Sequence, residues 1–388
     1  MPVNLADTVS AAARNAWALT FGDGIESPAR TPSVVLSDEP HRCLRRFEHG
    51  PSANGGPSAN GGPSANGGPS ANGGPSANGG SSANSGPAES ADDAAVLLVP
   101  PLAAPADCFD LRPDQSLARF LLDMGRHPYV IDYGEITFAD RRMGFEDWID
   151  DILPVAIGRV SADRGGAPVD LVGWSLGGVL ALLTAAADAA LPIRSITAVG
   201  APLNYDRVTG VPQVRALARL TRGMTVSTMI RAAGGVPAPL TRLAYRTASW
   251  EREIRRPLFL AANLTDSAKL GRMETIDRFQ AQLPGYPGRF YNQLWSRFVL
   301  ANDIGKGVVR LSGRRPALAD VTAPVLLIGG PDDVITPAAA VAHGVTTLTG
   351  APEVRYETAP GSHLGILAGA DARDTTWTWL EKFLRDRS

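Results

Sequence analysis

The stretch that decides the fold is Val169-Asp-Leu-Val-Gly-Trp-Ser-Leu-Gly-Gly-Val-Leu-Ala-Leu-Leu183. Val169, Leu171 and Val172 are apolar and partly β-branched, the pattern of a strand buried on both faces of a parallel sheet. Gly173-Trp174-Ser175-Leu176-Gly177 then reads G-x-S-x-G. Val179, Leu180, Leu182 and Leu183 follow on a run of strong helix formers. Strand, sharp turn and helix in succession make a nucleophile elbow, which lifts the Ser175 hydroxyl clear of the sheet. Gly173 and Gly177 suit places where strand and helix backbones pass too close for a Cβ. The helix N-terminus aims amide donors and a positive dipole end at an oxyanion formed beside the serine. In a chain with 41 glycines the five-residue pattern alone is weak. The flanking strand and helix give it weight against the bland alternative, a glycine-rich turn in which Ser175 only caps a helix.

A serine hydroxyl is a poor nucleophile at neutral pH and needs a base oriented by an acid. In the order Ser, Asp, His, the acid follows a later core strand. Ala323-Pro-Val-Leu-Leu-Ile328 is such a strand, and Gly329-Gly-Pro-Asp-Asp-Val-Ile-Thr-Pro337 follows it. Asp333 keeps the spacing G-x-x-D-x-x-x-P from Gly330 to Pro337, while Asp332 reads as a turn residue. Of the five histidines, His41 and His49 lie near a low-complexity tract, His127 precedes a strand and His343 sits within a helix. Only His363, in Ala359-Pro-Gly-Ser-His-Leu-Gly365, lies in a Gly-rich loop beyond the strand Glu353–Glu357 and before a terminal helix, Ala372–Arg385. Ser175, Asp333 and His363 are therefore the candidate catalytic residues. The oxyanion donors are expected to be backbone N–H groups. One is that of Leu176. The other is that of Leu102 or Ala103, because Pro100 and Pro101 at the end of Ala94–Leu102 have none. Such chemistry uses no metal and no cofactor.

The order of strands and helices from Ala94 to Val199 predicts an α/β fold of the α/β-hydrolase type, a doubly wound, mostly parallel sheet. Residues 91–200 and 321–388 form the expected core, with 1–50 supplying an N-terminal helix and strands. Residues 201–320 are helical fragments rich in Arg, Pro, Gly and aromatics, too long for a connection. They read as an inserted helical cap. Most of its aromatics, Tyr205, Tyr245, Trp250, Phe259, Phe279, Tyr286, Phe290, Tyr291, Trp295 and Phe298, would form its own core, and a minority would line an apolar acyl pocket. Pro-Ser-Ala-Asn-Gly-Gly repeats from Pro51 to Gly80, with a decayed copy to Gly86. Residues 51–90 are expected to be a disordered loop with almost nothing to bury, linking two neighbouring strands.

A net charge of −2 gives no electrostatic case for nucleic acid. Cys43 and Cys108 are the two cysteines, too few for a disulfide framework and in no metal spacing. No signal peptide and no integral membrane segment are read, so the cytoplasm is the expected location.

Leu97-Leu-Val-Pro-Pro101, Phe109-Asp-Leu-Arg-Pro-Asp-Gln-Ser116, Tyr129-Val-Ile-Asp-Tyr-Gly134 and Val172-Gly-Trp-Ser-Leu-Gly-Gly178 resemble motifs of the polyhydroxyalkanoate synthase family and its lipase-like relatives. Pro324–Pro337 and Gly361–Gly365 are similar to that family's acid and histidine motifs. The resemblance spans most of Ala94–Arg385 and is weakest in the cap. It implies an apolar ester or acyl-CoA as substrate, and leaves open a lipid-granule surface or a homodimer as partner. Those synthases carry cysteine where this chain has Ser175. A serine acyl-enzyme is an oxygen ester, which water or an alcohol resolves. The leading expectation is therefore a serine esterase, lipase or polyester depolymerase. An acyltransferase or polymerase using acyl-CoA comes second, and a non-catalytic granule-binding protein third.

Overall fold

The computed structural model describes residues 5–21, 24–25, 30–50, 94–220, 224–248 and 250–387. The repeat tract lies outside the described residues. Helix α1, Leu5–Phe21, comes first, and Asn15 Nδ2 donates to the Leu264 carbonyl at 2.8 Å.

Among the described residues the core is an eight-stranded sheet. Its strands in chain order are β1 (Ser33–Ser37), β2 (Cys43–Phe47), β3 (Ala95–Val99), β4 (His127–Asp132), β5 (Val169–Trp174), β6 (Ile193–Val199), β7 (Val325–Gly329) and β8 (Val354–Thr358). They lie side by side as β1-β2-β4-β3-β5-β6-β7-β8. From β4 to β8 every pairing is parallel; β1 pairs with β2, and β2 with β4, antiparallel.

This order corrects the expectation that the repeat tract links neighbouring strands, because β4 lies between β2 and β3. Side chains on β2 fix the pairing. Leu44 is buried opposite Ile131. Arg45 pairs with Asp132. Arg46 Nη1 donates to Asp163 Oδ2 at 2.8 Å, the oxygen that also accepts the Tyr129 hydroxyl at 2.6 Å.

Strands β3, β5 and β7 are buried along their whole length, so their near-continuous apolar runs feed both faces of the sheet. Alternation assigns the faces. Leu97, Val99 and Leu171 pack with Ile157 and Val160 of α3 (Leu153–Asp163) and Leu180 of α4 (Leu176–Ala187). Val96, Leu98 and Val172 pack on the other face with Phe120 and Leu121 of α2 (Leu117–Asp123) and Phe383 of the terminal helix (Thr378–Arg385). Ser116 caps α2, its hydroxyl accepting the Arg119 N–H at 3.0 Å.

Between β6 and β7 the chain is mostly helical: α5 (Val211–Leu220), α6 (Met224–Ala233), α7 (Ala238–Ala248), α8 (Trp250–Asn263), α9 (Ser267–Ala281) and α10 (Gly288–Gln293). Phe290 and Phe298 stack on Phe145 with centroids 4.0 and 4.7 Å away, and Tyr205 meets Phe298 edge-on at 5.8 Å. These aromatics tie the insertion to the segment preceding α3.

Candidate active site

Strand β5 ends at Trp174 and α4 begins at Leu176, so Ser175 alone makes the turn. It adopts φ 54° and ψ −124°, a conformation that costs a non-glycine residue about 1–3 kcal/mol and persists only when its surroundings impose it. The surroundings here are hydrogen bonds. The Ser175 N–H donates to the Val199 carbonyl at 2.7 Å, and the Ser175 carbonyl accepts the Gly178 N–H at 3.1 Å. Glycine is required at 177, because a Cβ there would lie 2.1 Å from the Val99 carbonyl oxygen. The same close approach seats the loop after β3 against the elbow.

His363 reaches this turn from the loop after β8. Its Nε2 lies 2.8 Å from Ser175 Oγ and its Nδ1 lies 2.6 Å from Asp333 Oδ2. The carboxylate only accepts, so Nδ1 carries the proton and Nε2 is the acceptor for the serine hydroxyl. Asp333 is 2% exposed and His363 4% exposed, whereas Asp332 faces solvent. The other Asp333 oxygen accepts the N–H groups of Ile335 and Thr336, both at 2.9 Å, which hold the carboxylate in place. Trp174 secures the histidine loop from below: its indole N–H donates to the His363 carbonyl at 3.0 Å, with ring centroids 5.2 Å apart.

Leu176 is the first residue of α4, where backbone N–H groups have no intrahelical acceptor. Leu102 and Ala103 are fully buried in the turn after Pro101, whose carbonyl accepts the Ala104 N–H at 3.1 Å.

The cysteines lie elsewhere. Cys43 starts β2, and Cys108 sits in the 3₁₀ turn Ala106–Phe109, where burial pushes its thiol well up. Among the described residues no group of His, Cys, Asp and Glu gathers in a way that could hold a metal ion. No helix among them is long and apolar enough to cross a membrane.

The insertion contributes a feature that sequence reading registered only as scattered aromatics. The phenols of Tyr205, Tyr245, Tyr286 and Tyr291 lie close enough to influence one another, and burial pushes all four up. Tyr245 is pushed up to about 12, by burial first and by the nearby Asp333 charge second. The spacing of these tyrosines along the chain carries no sign of this gathering.

Residues 84–374 match the alpha/beta hydrolase family. The chain belongs to that family. It is 23% identical over 308 residues to a poly(3-hydroxyalkanoate) polymerase subunit PhaC of Allochromatium vinosum, with 77% of this chain and 83% of that protein covered. The PhaC polymerase subunit of Haloferax mediterranei is 22% identical over 302 residues, covering 77% of this chain but only 60% of that longer protein. In structure the chain is similar to a monoacylglycerol lipase of Paleococcus ferrophilus, with TM-score 0.47 and 17% identity over 76% of this chain and 95% of that one. Family membership and these polymerase relatives support an enzymatic role.

Proposed function

We propose that this protein is a serine hydrolase that cleaves carboxylic esters of apolar acyl groups, lipid or hydroxyalkanoate esters, through an acyl-serine intermediate. One observation carries the reading: the unbroken hydrogen-bonded line from Asp333 Oδ2 through His363 to Ser175 Oγ. Ser175 Oγ attacks the ester carbonyl carbon as its proton passes to His363 Nε2. Asp333 keeps the imidazole in the productive tautomer and stabilises its charged form. The displaced carbonyl electrons become an oxyanion, held by the N–H of Leu176 and that of Leu102 or Ala103. Such a donor is worth about 3–4 kcal/mol in known cases. Collapse of the adduct expels the alcohol, which takes the Nε2 proton and leaves an acyl-serine. Water, deprotonated by His363, then attacks that ester, and the free acid departs as Ser175 regains its proton. The helical insertion, residues 201–320, acts as a cap over this chemistry and supplies apolar surface for the acyl chain.

The polymerase relatives favour a second reading, transfer of an acyl group from acyl-CoA to a hydroxyl acceptor at the same serine. The test compares the full chain with Ser175→Ala on p-nitrophenyl esters from acetyl to palmitoyl and on a 3-hydroxyacyl-CoA. Nitrophenol, free acid and released thiol are followed together. Ser175-dependent cleavage to free acid is the expected result. Thiol release with polymer or transferred product moves the protein to the second reading. Equal, negligible rates in both proteins overturn both and favour binding without turnover.

A further inference from the structure

A concave site lies at the seam between the sheet core and the insertion. It is a cavity of about 570 Å³ lined by Arg141, Arg142, Arg231, Arg289, Arg297 and Arg310, with no Asp or Glu among its lining residues. The arginines come from separate elements. Arg141 and Arg142 end the 3₁₀ turn Phe138–Arg142 beyond the carboxyl end of β4, Arg231 is on α6, and Arg289 is on α10. Arg297 lies on the turns that extend α10, and Arg310 in the loop before β7.

Close backbone contacts build this convergence. A Cβ on Gly234 would lie 2.2 Å from the Phe138 ring, and one on Gly288 would lie 2.9 Å from the Gly234 backbone. The Phe290 N–H donates to the Met143 carbonyl at 2.9 Å. The arginines thus share a cavity because three segments are pressed together.

Charge is the second observation. Arg289 pairs with Glu146 at 2.9 Å, and Arg310 with Asp303 at 2.7 Å. Arg141 is oriented by the Phe138 carbonyl at 3.0 Å and by that residue's ring, 4.6 Å from its guanidinium carbon. Arg141, Arg142, Arg231 and Arg297 have no ion pair with a carboxylate among the described residues. Elsewhere arginines do find acids: Arg46 with Glu48 and Asp163, Arg272 with Asp114, Arg355 with Asp386. Four guanidinium groups sharing one concavity repel one another and focus a positive potential into it. A phosphate group carries about −1.5 to −2 charges at neutral pH and matches the guanidinium fork bidentately. Two or more phosphates are needed to match four such cations. The volume falls within the range of about 300–1,000 Å³ typical of small-molecule sites.

We propose that this arginine-lined cavity binds a small molecule bearing at least two phosphate groups, either a free oligophosphate or the phosphorylated end of a nucleotide-linked substrate. The proposal stands apart from the ester chemistry and is tested by binding alone. The full chain, in phosphate-free buffer, is titrated calorimetrically with tripolyphosphate, ADP, coenzyme A and orthophosphate. Tripolyphosphate is expected to bind one to one and at least about tenfold tighter than orthophosphate, the separation that about 1.4 kcal/mol gives. Arg142→Gln and Arg231→Gln, both at exposed side chains, are each expected to weaken it about fivefold or more, since each removes a charge-assisted phosphate contact. Arg231→Lys should recover part of the loss, and Arg159→Ala, outside the cavity, should change nothing. Melting curves of each variant report folding separately. Coenzyme A or ADP displacing tripolyphosphate and binding more tightly assigns the site to a nucleotide-linked ligand; weaker nucleotide binding assigns it to a free oligophosphate. Absence of binding by every probe at millimolar concentration, or binding unchanged in both glutamine variants, overturns the proposal.

Discussion

Trp174 and His363 are joined by a single hydrogen bond, from the indole N–H to the histidine's own carbonyl, at 3.0 Å. The residue before Ser175 thereby positions the loop that carries His363, the proposed base. Both are buried, so the indole N–H has no water to replace the carbonyl. Trp174→Phe keeps an aromatic ring in the core and deletes the donor. Losing such a bond costs about 1–1.5 kcal/mol, and the smaller ring adds a cavity cost of similar size. The expected outcome is a fall in kcat on p-nitrophenyl acetate of about tenfold with KM within about twofold, because positioning is lost and substrate contact is not. An unchanged kcat would show that other contacts suffice to hold the loop.

Asp333 and Asp332 are adjacent acids in different environments, which makes a paired test. Asp333→Asn keeps an oxygen for the Ile335 and Thr336 amides but removes the charge facing His363 Nδ1. The amide can also present an N–H to Nδ1 and select the wrong tautomer. By comparison with such a replacement in a serine protease, kcat should fall by about four orders of magnitude. Asp332→Asn, at an exposed side chain, should leave kcat within about twofold. Measured kcat values for the two variants decide the matter. Comparable losses would remove Asp333 from its proposed role.

The elbow could be read from sequence because its requirements are local. A buried strand, two glycines, a serine and a helix-forming run must be contiguous for the turn to exist. The parallel sheet from β3 to β8 was legible for a similar reason, since alternating strands and helices constrain the crossovers. The position of β2 was not. It depends on Arg45 and Arg46 meeting Asp132 and Asp163, residues more than eighty positions away. The arginine cavity was equally hidden. Its side chains come from five stretches between residues 141 and 310, and nothing in their spacing marks convergence. In a chain where arginine supplies nearly all the basic residues, composition could not single these out.

Alkaline pH should destabilise this protein through groups it buries neutral. Cys108, Tyr133 and Tyr205 are all buried, and burial is the first cause pushing each above its ordinary value, 9.0 for the thiol and 10.0 for the phenols. Above about pH 9 the unfolded chain releases protons that the folded chain retains, so unfolding becomes easier as pH rises. Below that pH both states hold these protons and the groups impose no slope. Urea denaturation should give a stability that these groups leave level from pH 7 to about 8.5 and lower progressively towards pH 11. Cys108→Ala should lower stability at every pH through its cavity, yet show a shallower decline above about pH 9. A decline of equal steepness in the variant would remove Cys108 from the account.

Gly177 and Gly158 set helix propensity against steric exclusion. Both lie within helices, where alanine is favoured over glycine by about 1 kcal/mol. Propensity alone therefore predicts that either glycine-to-alanine change stabilises. At Gly158, on the exposed side of α3, an added Cβ meets nothing within 4 Å, so propensity should prevail. Gly158→Ala is expected to raise stability by about 0.4–1 kcal/mol. At Gly177 the added Cβ would lie 2.1 Å from the Val99 carbonyl oxygen and 2.8 Å from Pro100 backbone atoms. Val99 is the last residue of buried β3, paired with Gly173 of β5, and cannot move aside without disturbing the sheet. Overpacking typically costs about 1–3 kcal/mol where side chains can yield, and more where only backbone is available. Gly177→Ala should therefore lose at least about 3 kcal/mol, seen as a large drop in urea midpoint or as insoluble expression. Opposite shifts in the two variants would show that the loop after β3 is pressed against the elbow in solution. Parallel stabilisation would mean that Gly177 and Val99 do not approach this closely in solution, and would count against the proposed second oxyanion donor.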